Sequence, residues 1–359
     1  MSVPQLRKTV PLLVAIVLAS SVILHGGDVS AGQATPTASP GASPAASPMV
    51  GGGGIPAAAT WLVGQQAEDG GFVGFEGVSD PSVTADALIS LVAARESGDG
   101  ADVDRAIERG TTYLEQQSAG YAETGAGQAA KIALAALAVG ADPRSFGGTD
   151  LLALVDDGQN EETGVYGSGV YDHALAMLAL TGAGREIPEE AFAALEDTRS
   201  TSGGWSFDGN PEPAATETNT TAVVIQALVA SGQGESELIA GGLEFFRTAQ
   251  ADNGAFKFQP SETFSADANS TALVVQALMA AGEDPAGDTW RNAAGALAAF
   301  QNPSGAFRYA DDQPDDNIFA TVQAVPALAG RTLPVVAAGG VRSTPAATPA
   351  ARGDWQVAA

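Results

Sequence analysis

The sequence predicts an all-α fold, an (α/α)6 barrel (toroid) of six helical hairpins, and three observations carry that prediction. First, the apolar segment Thr221-Ala-Val-Val-Ile-Gln-Ala-Leu-Val-Ala-Ser-Gly232 recurs almost unchanged as Thr271-Ala-Leu-Val-Val-Gln-Ala-Leu-Met-Ala-Ala-Gly282, 50 residues further on. Weaker copies end at Gly140, Gly182 and Gly330, and another runs from Thr84 to near Arg95. Six copies at intervals of 42 to 50 residues therefore account for Ala57 to Gly330, the signature of a repeat architecture. Second, each copy is apolar on nearly every side, as a helix buried all round must be, and most stop at a glycine suited to a helix C-cap. Third, a more amphipathic segment precedes each copy and closes on one phrase: an aromatic, a glutamine, a glycine turn and a second aromatic.

The phrase is clearest in Trp61-Leu-Val-Gly-Gln-Gln-Ala-Glu-Asp-Gly-Gly-Phe72, Phe246-Arg-Thr-Ala-Gln-Ala-Asp-Asn-Gly-Ala-Phe256 and Phe300-Gln-Asn-Pro-Ser-Gly-Ala-Phe307. Tyr113-Leu-Glu-Gln-Gln and Ser202-Gly-Gly-Trp205 are partial copies. The glutamine amide can satisfy orphan backbone groups at a helix end, with the later aromatic stacked over it. One hairpin cannot cover its own apolar face, so the six must pack side by side. Second helices that are apolar on both sides call for an inner ring wrapped by an outer one, and hence a closed barrel.

Composition removes several chemistries. The 359 residues contain no cysteine, which excludes thiolate zinc sites, catalytic thiols and disulfide scaffolds. With 42 acidic and 16 basic side chains the formal charge is −26, and the lysines are Lys8, Lys131 and Lys257 alone. Such a surface repels phosphate backbones, so nucleic acid is not an expected partner. His25 and His173 are the only histidines, too few for a multi-histidine metal centre.

Residues 1–31 read as a secretory signal: Arg7 and Lys8, then an apolar run from Val10 to Leu24, then Val29-Ser30-Ala31 for cleavage. The protein is accordingly expected to be secreted or held at the cell surface. An Ala/Ser/Pro/Gly linker is expected over 32–56, the toroid over 57–330 and a flexible tail over 331–359.

The glutamine–turn–aromatic phrase followed by an apolar Thr-Ala helix resembles the repeat of squalene–hopene cyclases and of protein prenyltransferase β subunits. It is also similar to the α/α barrel of the cobalamin carriers intrinsic factor and transcobalamin. The resemblance implies the toroid fold. In the cyclases an Asp-x-Asp-Asp-Thr-Ala motif opens one inner helix, and its central Asp protonates an alkene. The matching stretches here are Asp267-Ala-Asn269-Ser-Thr-Ala272, Glu217-Thr-Asn219-Thr-Thr-Ala222, Asp315-Asp-Asn317-Ile-Phe-Ala320 and Asp80-Pro-Ser82-Val-Thr-Ala85, with Gly127 and Gly169 at the central place of the other two. No carboxylic acid occupies that place, and a carboxamide has no proton to give at accessible pH. Prenyltransferases hold zinc through Asp, Cys and His, and this chain has no Cys. The cobalamin carriers add a β-rich domain for which only 29 residues remain after Gly330.

The expectation is therefore a non-catalytic toroid that binds a ligand at one mouth: a small apolar or corrinoid-like molecule first, a protein or glycan partner second. Tyr171, Asp172, His173, Phe207, Asn219, Phe264, Asn269, Asn317 and Phe319 are the candidate contacts. The Asn-Ser/Thr-Thr openings also read as helix N-caps, and His173 as a wall histidine. The alternative is an enzyme, either a divergent terpenoid cyclase or a carbohydrate-active enzyme, using Glu217, Asp267 and Asp315 at the mouth. No cofactor is required and no metal site is expected. The run Asp311-Asp-Gln-Pro-Asp-Asp316 reads as a solvated loop, with weak calcium binding as its sharper reading. A third class, a structural spacer, would show a lumen filled by side chains.

Overall fold

The computed structural model of the chain describes residues 53–96 and 101–337. The expected signal, nearly all of the linker and the tail beyond residue 337 lie outside the described residues. No helix among the described residues is long and apolar enough to cross a membrane.

Among the described residues, twelve α-helices alternate between two layers. The inner ones are α2 (Pro81–Glu96), α4 (Ala126–Val139), α6 (Val170–Gly182), α8 (Thr218–Ala230), α10 (Ala268–Ala280) and α12 (Ile318–Leu328). Each packs on the next and α12 packs back on α2, so the ring closes. The outer helices are α1 (Gly54–Gly64), α3 (Ala101–Ala122), α5 (Leu151–Asp157), α7 (Glu189–Asp197), α9 (Glu237–Ala249) and α11 (Ala293–Ala298). The layers differ as the sequence requires. From Ala126 to Ala138 nearly every residue of α4 is buried, whereas α9 buries one stripe, Leu238, Ile239, Gly242, Phe245, Phe246 and Ala249.

The repeated phrase holds neighbouring hairpins together. Gln66 Nε2 donates to the carbonyl of its own turn glycine, Gly70, at 2.8 Å and to Ala106 on the next outer helix at 2.9 Å. Gln250 does the same with Gly254 at 3.0 Å and Trp290 at 2.7 Å. These glutamines thus tie their turns to the following repeat, in addition to satisfying local backbone. Gly70 has φ +93°, and a Cβ there would lie 2.6 Å from the Arg109 carbonyl oxygen. Glycine is needed for both the left-handed backbone and the close approach.

Two boundaries move. Helix α1 starts at Gly54, inside the expected linker. At the other end Arg331–Ala337 packs on the barrel: Val335 is buried, Gln276 Nε2 donates to the Arg331 carbonyl at 2.9 Å, and the Leu333 amide donates to Gln226 Oε1 at 2.9 Å. One two-stranded antiparallel hairpin joins the helices, β1 (Phe307–Ala310) and β2 (Gln313–Asn317). The acidic run expected in a loop therefore turns through this hairpin, with Asp315 and Asp316 exposed on β2.

Candidate functional site

The inner helices share one register, set by the residue that caps each N-terminus. Asp80 Oδ1 accepts from the Val83 amide at 3.0 Å, Asp267 Oδ1 from Ser270 at 2.8 Å and Asn317 Oδ1 from Ala320 at 2.9 Å. Glu217 accepts from both Asn219 and Thr220, at 2.6 and 2.8 Å. Gly125 and Gly169 stand at the equivalent place in α4 and α6. Four residues past each cap, Thr84, Thr221, Thr271 and Thr321 accept the amide of the phrase's second aromatic, Phe72, Trp205, Phe256 and Phe307, at 2.9 to 3.0 Å.

This register corrects three expectations. The caps are the acids two residues upstream, so Asn219 and Asn269 do not cap their helices; their Oδ1 atoms are buried without a hydrogen-bond partner. Gly169 is a cap position, which puts Tyr171 at the cyclase-acid place of α6. In α12 that place belongs to Phe319, because Asn317 caps the helix and Thr321, not Phe319, makes the threonine bonds.

Counting from the caps also lays out the lumen, since positions +2, +6 and +9 share one helical face. The +6 residues are Asp86, Lys131, Leu175, Val223, Leu273 and Gln323, and all six line a central cavity. Tyr171 reaches it from the +2 level, and Ile89, Leu134, Gln276 and Pro326 from the +9 level, with Leu333 also in the wall. The cavity is about 40 Å³, room for a few waters and an order of magnitude below ordinary ligand pockets of roughly 300–1,000 Å³.

Its polar residues sit on five successive helices: Gln276 on α10, Gln323 on α12, Asp86 on α2, Lys131 on α4 and Tyr171 on α6. Lys131 Nζ lies 2.8 Å from Asp86 Oδ2, with 14 % and 18 % of the side chains exposed. Burial raises the Asp86 pKa, opposed by Lys131. Burial also works against the Lys131 charge, but Asp86, Tyr171 and Tyr121 outweigh it and the ammonium is held above its ordinary range. Burial pushes the Tyr171 hydroxyl up to about 12, opposed by Lys131, so it stays protonated. Asp86, Lys131 and Gln323 were not singled out in the sequence. Their signal was there, because Asp86 and Lys131 are charges within otherwise apolar inner-helix stretches.

The expected site residues fall into groups. Glu217 and Asp267 are buried, and burial raises both pKa values to about 7 against the opposing cap hydrogen bonds. Their oxygens are committed to those caps. Asp315 is exposed on β2. Asp172 Oδ2 accepts from Ser168 N and Oγ at 3.1 and 2.6 Å and packs on Gly127 of α4. His173 is fully buried: Nδ1 accepts from Tyr166 N at 3.0 Å and Nε2 faces the Ala191 carbonyl at 2.9 Å. The ring is neutral, its pKa lowered to about 4 by burial against the Ala191 bond, and it replaces the threonine of the other repeats as a wall group. The aromatics pair at the helix-start end, Tyr171 with Phe207 at 5.7 Å, Phe258 with Phe264 at 5.4 Å and Phe319 with the exposed Phe75 at 4.0 Å. Among the described residues no group of three or more His, Asp or Glu is placed to hold a metal ion, so the calcium reading gains no support.

A closed ring of six inner helices, all opening toward one end, is a shape that other solved proteins share. The type II terpene cyclase MstE from Scytonema is 18 % identical, with a TM-score of 0.56 over 77 % of this chain and 96 % of that one. The chain has an α/α toroid fold. A protein from Actinoplanes (16 % identity, TM-score 0.57, 77 % and 98 % covered) and an α-1,6-mannanase from a Salegentibacter species (13 %, 0.57, 77 % and 98 %) share it too. No family model and no curated protein matches the sequence. At these identities the likeness establishes architecture, and function has to be argued from the site.

Proposed function

We propose that the chain is a luminal small-molecule-binding toroid, taking a compact molecule with an apolar body and one neutral polar head. The carrying observation is the set Gln323, Asp86 and Lys131 at one level of the lumen, with Tyr171 one turn above and Gln276 one turn below, among side chains that are otherwise apolar. A buried ion pair contributes little net stability, because desolvation offsets its attraction, so its position in the cavity wall points to a ligand. Asp86 and Lys131 compensate each other and Tyr171 is protonated, which suits a hydroxyl or amide that both donates and accepts. The net charge of −26 disfavours anionic ligands. The sequence of residues 1–31, read as a secretory leader, is the ground for proposing that this binding takes place outside the cytoplasm.

A second reading, an enzyme acting at the same mouth, is favoured by the solved relatives, among them MstE with bound geranylgeranyl dihydroxybenzoate and a mannanase variant with α-1,6-mannotriose. Their chemistry supports catalysis more than binding alone. Against a familiar cyclisation stand the amides at 219 and 269 and the committed oxygens of Glu217 and Asp267. Thermal shift with geraniol, farnesol, geranylgeranyl dihydroxybenzoate and mannotriose, run beside product analysis of the same mixtures, separates the readings. Binding without turnover, lost in D86L/K131M, is the expected result; a cyclic terpenoid or shortened glycan would overturn it in favour of the enzyme.

A further inference from the structure

The floor of the lumen is made by residues outside the six repeats. After α12 the chain crosses the C-terminal ends of the inner helices in sequence. Gln276 of α10 holds the Arg331 carbonyl, and Gln226 of α8 holds the Leu333 amide. Pro334 lies under α6, where a Cβ on Gly182 would come within 3.1 Å of its ring. Ala337 donates to the Leu137 carbonyl of α4 at 3.2 Å. Leu333 is the residue of this strap that lines the cavity, below Gln276, Leu134 and Pro326.

Two features show that the strap is built into the barrel. Gln226 and Gln276 are repeat-equivalent, nine residues past their caps, and both buried side chains spend a hydrogen bond on the strap's backbone. Gly182 provides the close approach that Pro334 needs. Gln323, Asp86 and Lys131 lie at the +6 level and Leu333 beneath the +9 level, about one helical turn deeper. A ligand whose head meets Lys131 and Asp86 extends its apolar body down only until it meets the Leu333 side chain, or upward toward the mouth.

We propose that Leu333 is a specificity-determining residue, fixing the depth of the lumen and so the length of apolar body the site accepts. The proposal rests on the luminal-binding reading, and the test keeps the two apart. Crystals of the wild type, L333A and L333F would be pressurised with xenon, and the affinities of C2 to C6 n-alcohols measured by calorimetry on the same proteins. In L333A a xenon atom is expected at the floor, and the preferred alcohol should lengthen by about two carbons, the longer chain gaining roughly tenfold in affinity. In L333F the xenon site should be absent and the preference should shorten. Should L333A fail to fold, L333V gives a smaller shift of the same sign. Identical xenon occupancy and identical chain-length preference in all variants would overturn the proposal. Xenon entering L333A while no alcohol binds any variant would support Leu333 as the floor and refute the luminal-binding reading.

Discussion

Gln301 and Gly54 stand 247 positions apart in the chain and exchange two hydrogen bonds. The Gly54 amide donates to Gln301 Oε1 at 3.2 Å, and Gln301 Nε2 donates to the Gly54 carbonyl at 2.8 Å while also holding Gly305 at 2.9 Å. It is the inter-repeat bond of Gln66 and Gln250 made between the last hairpin and the first. Q301L is expected to leave these backbone groups unpaired and cost about 2–3 kcal/mol. The loss should appear in urea melts, with α1 becoming the first helix cut in limited proteolysis. Unchanged stability and an unchanged first cut would show that the seam is held by apolar packing alone.

The luminal pair gives a second prediction. K131M leaves the Asp86 carboxylate buried without its partner and should destabilise the fold by about 3–5 kcal/mol. The double variant D86L/K131M should recover most of that loss, because an apolar pair replaces an ionic one. A double-mutant cycle by chemical denaturation measures this coupling, and additive losses would contradict a direct pair.

A third concerns pH. Burial lets folded Asp267 keep its proton up to about pH 7 despite the Ser270 bonds, whereas an unfolded aspartate releases it near 3.9. The stability linked to this proton is therefore complete below about pH 4 and lost as pH rises through 7. D267N keeps the cap, as Asn317 already does in α12. It should reduce the stability difference between pH 5 and pH 8 by about 2 kcal/mol relative to wild type. An unchanged difference in denaturant melts at the two pH values would assign the titration elsewhere.

The fourth separates wall from ligand contact. H173A removes the acceptor of the Tyr166 amide and the donor to the Ala191 carbonyl inside the core, and should cost about 2–4 kcal/mol. Alcohol affinity, measured by calorimetry on folded H173A, should stay within twofold of wild type. A tenfold loss would return His173 to the binding site.

The architecture was legible because repetition shows in the letters: Thr221–Gly232 and Thr271–Gly282 look alike before any coordinate is known. Chemistry was less legible for the same reason. Aligning Asp315-Asp-Asn317 with Asp267-Ala-Asn269 was reasonable on letters alone, yet the Thr321 hydroxyl bonded to the Phe307 amide places α12 two residues away from that alignment. Asp86 and Lys131 are 45 residues apart in unrelated local sequence, and only the shared count from their caps reveals a common level. The strap was misread because Arg331–Ala337 lacks the repeat's pattern, its anchorage coming from glutamines on other helices.

A wall with one residue per helix at each height behaves like a combination lock whose wheels turn separately. Changing the side chain at 175, 223 or 273 alters what the chamber touches while leaving the hairpins' turns and seams untouched. A scaffold of this kind can acquire a new guest by single substitutions, and a laboratory selection could explore its interior without first re-engineering its stability.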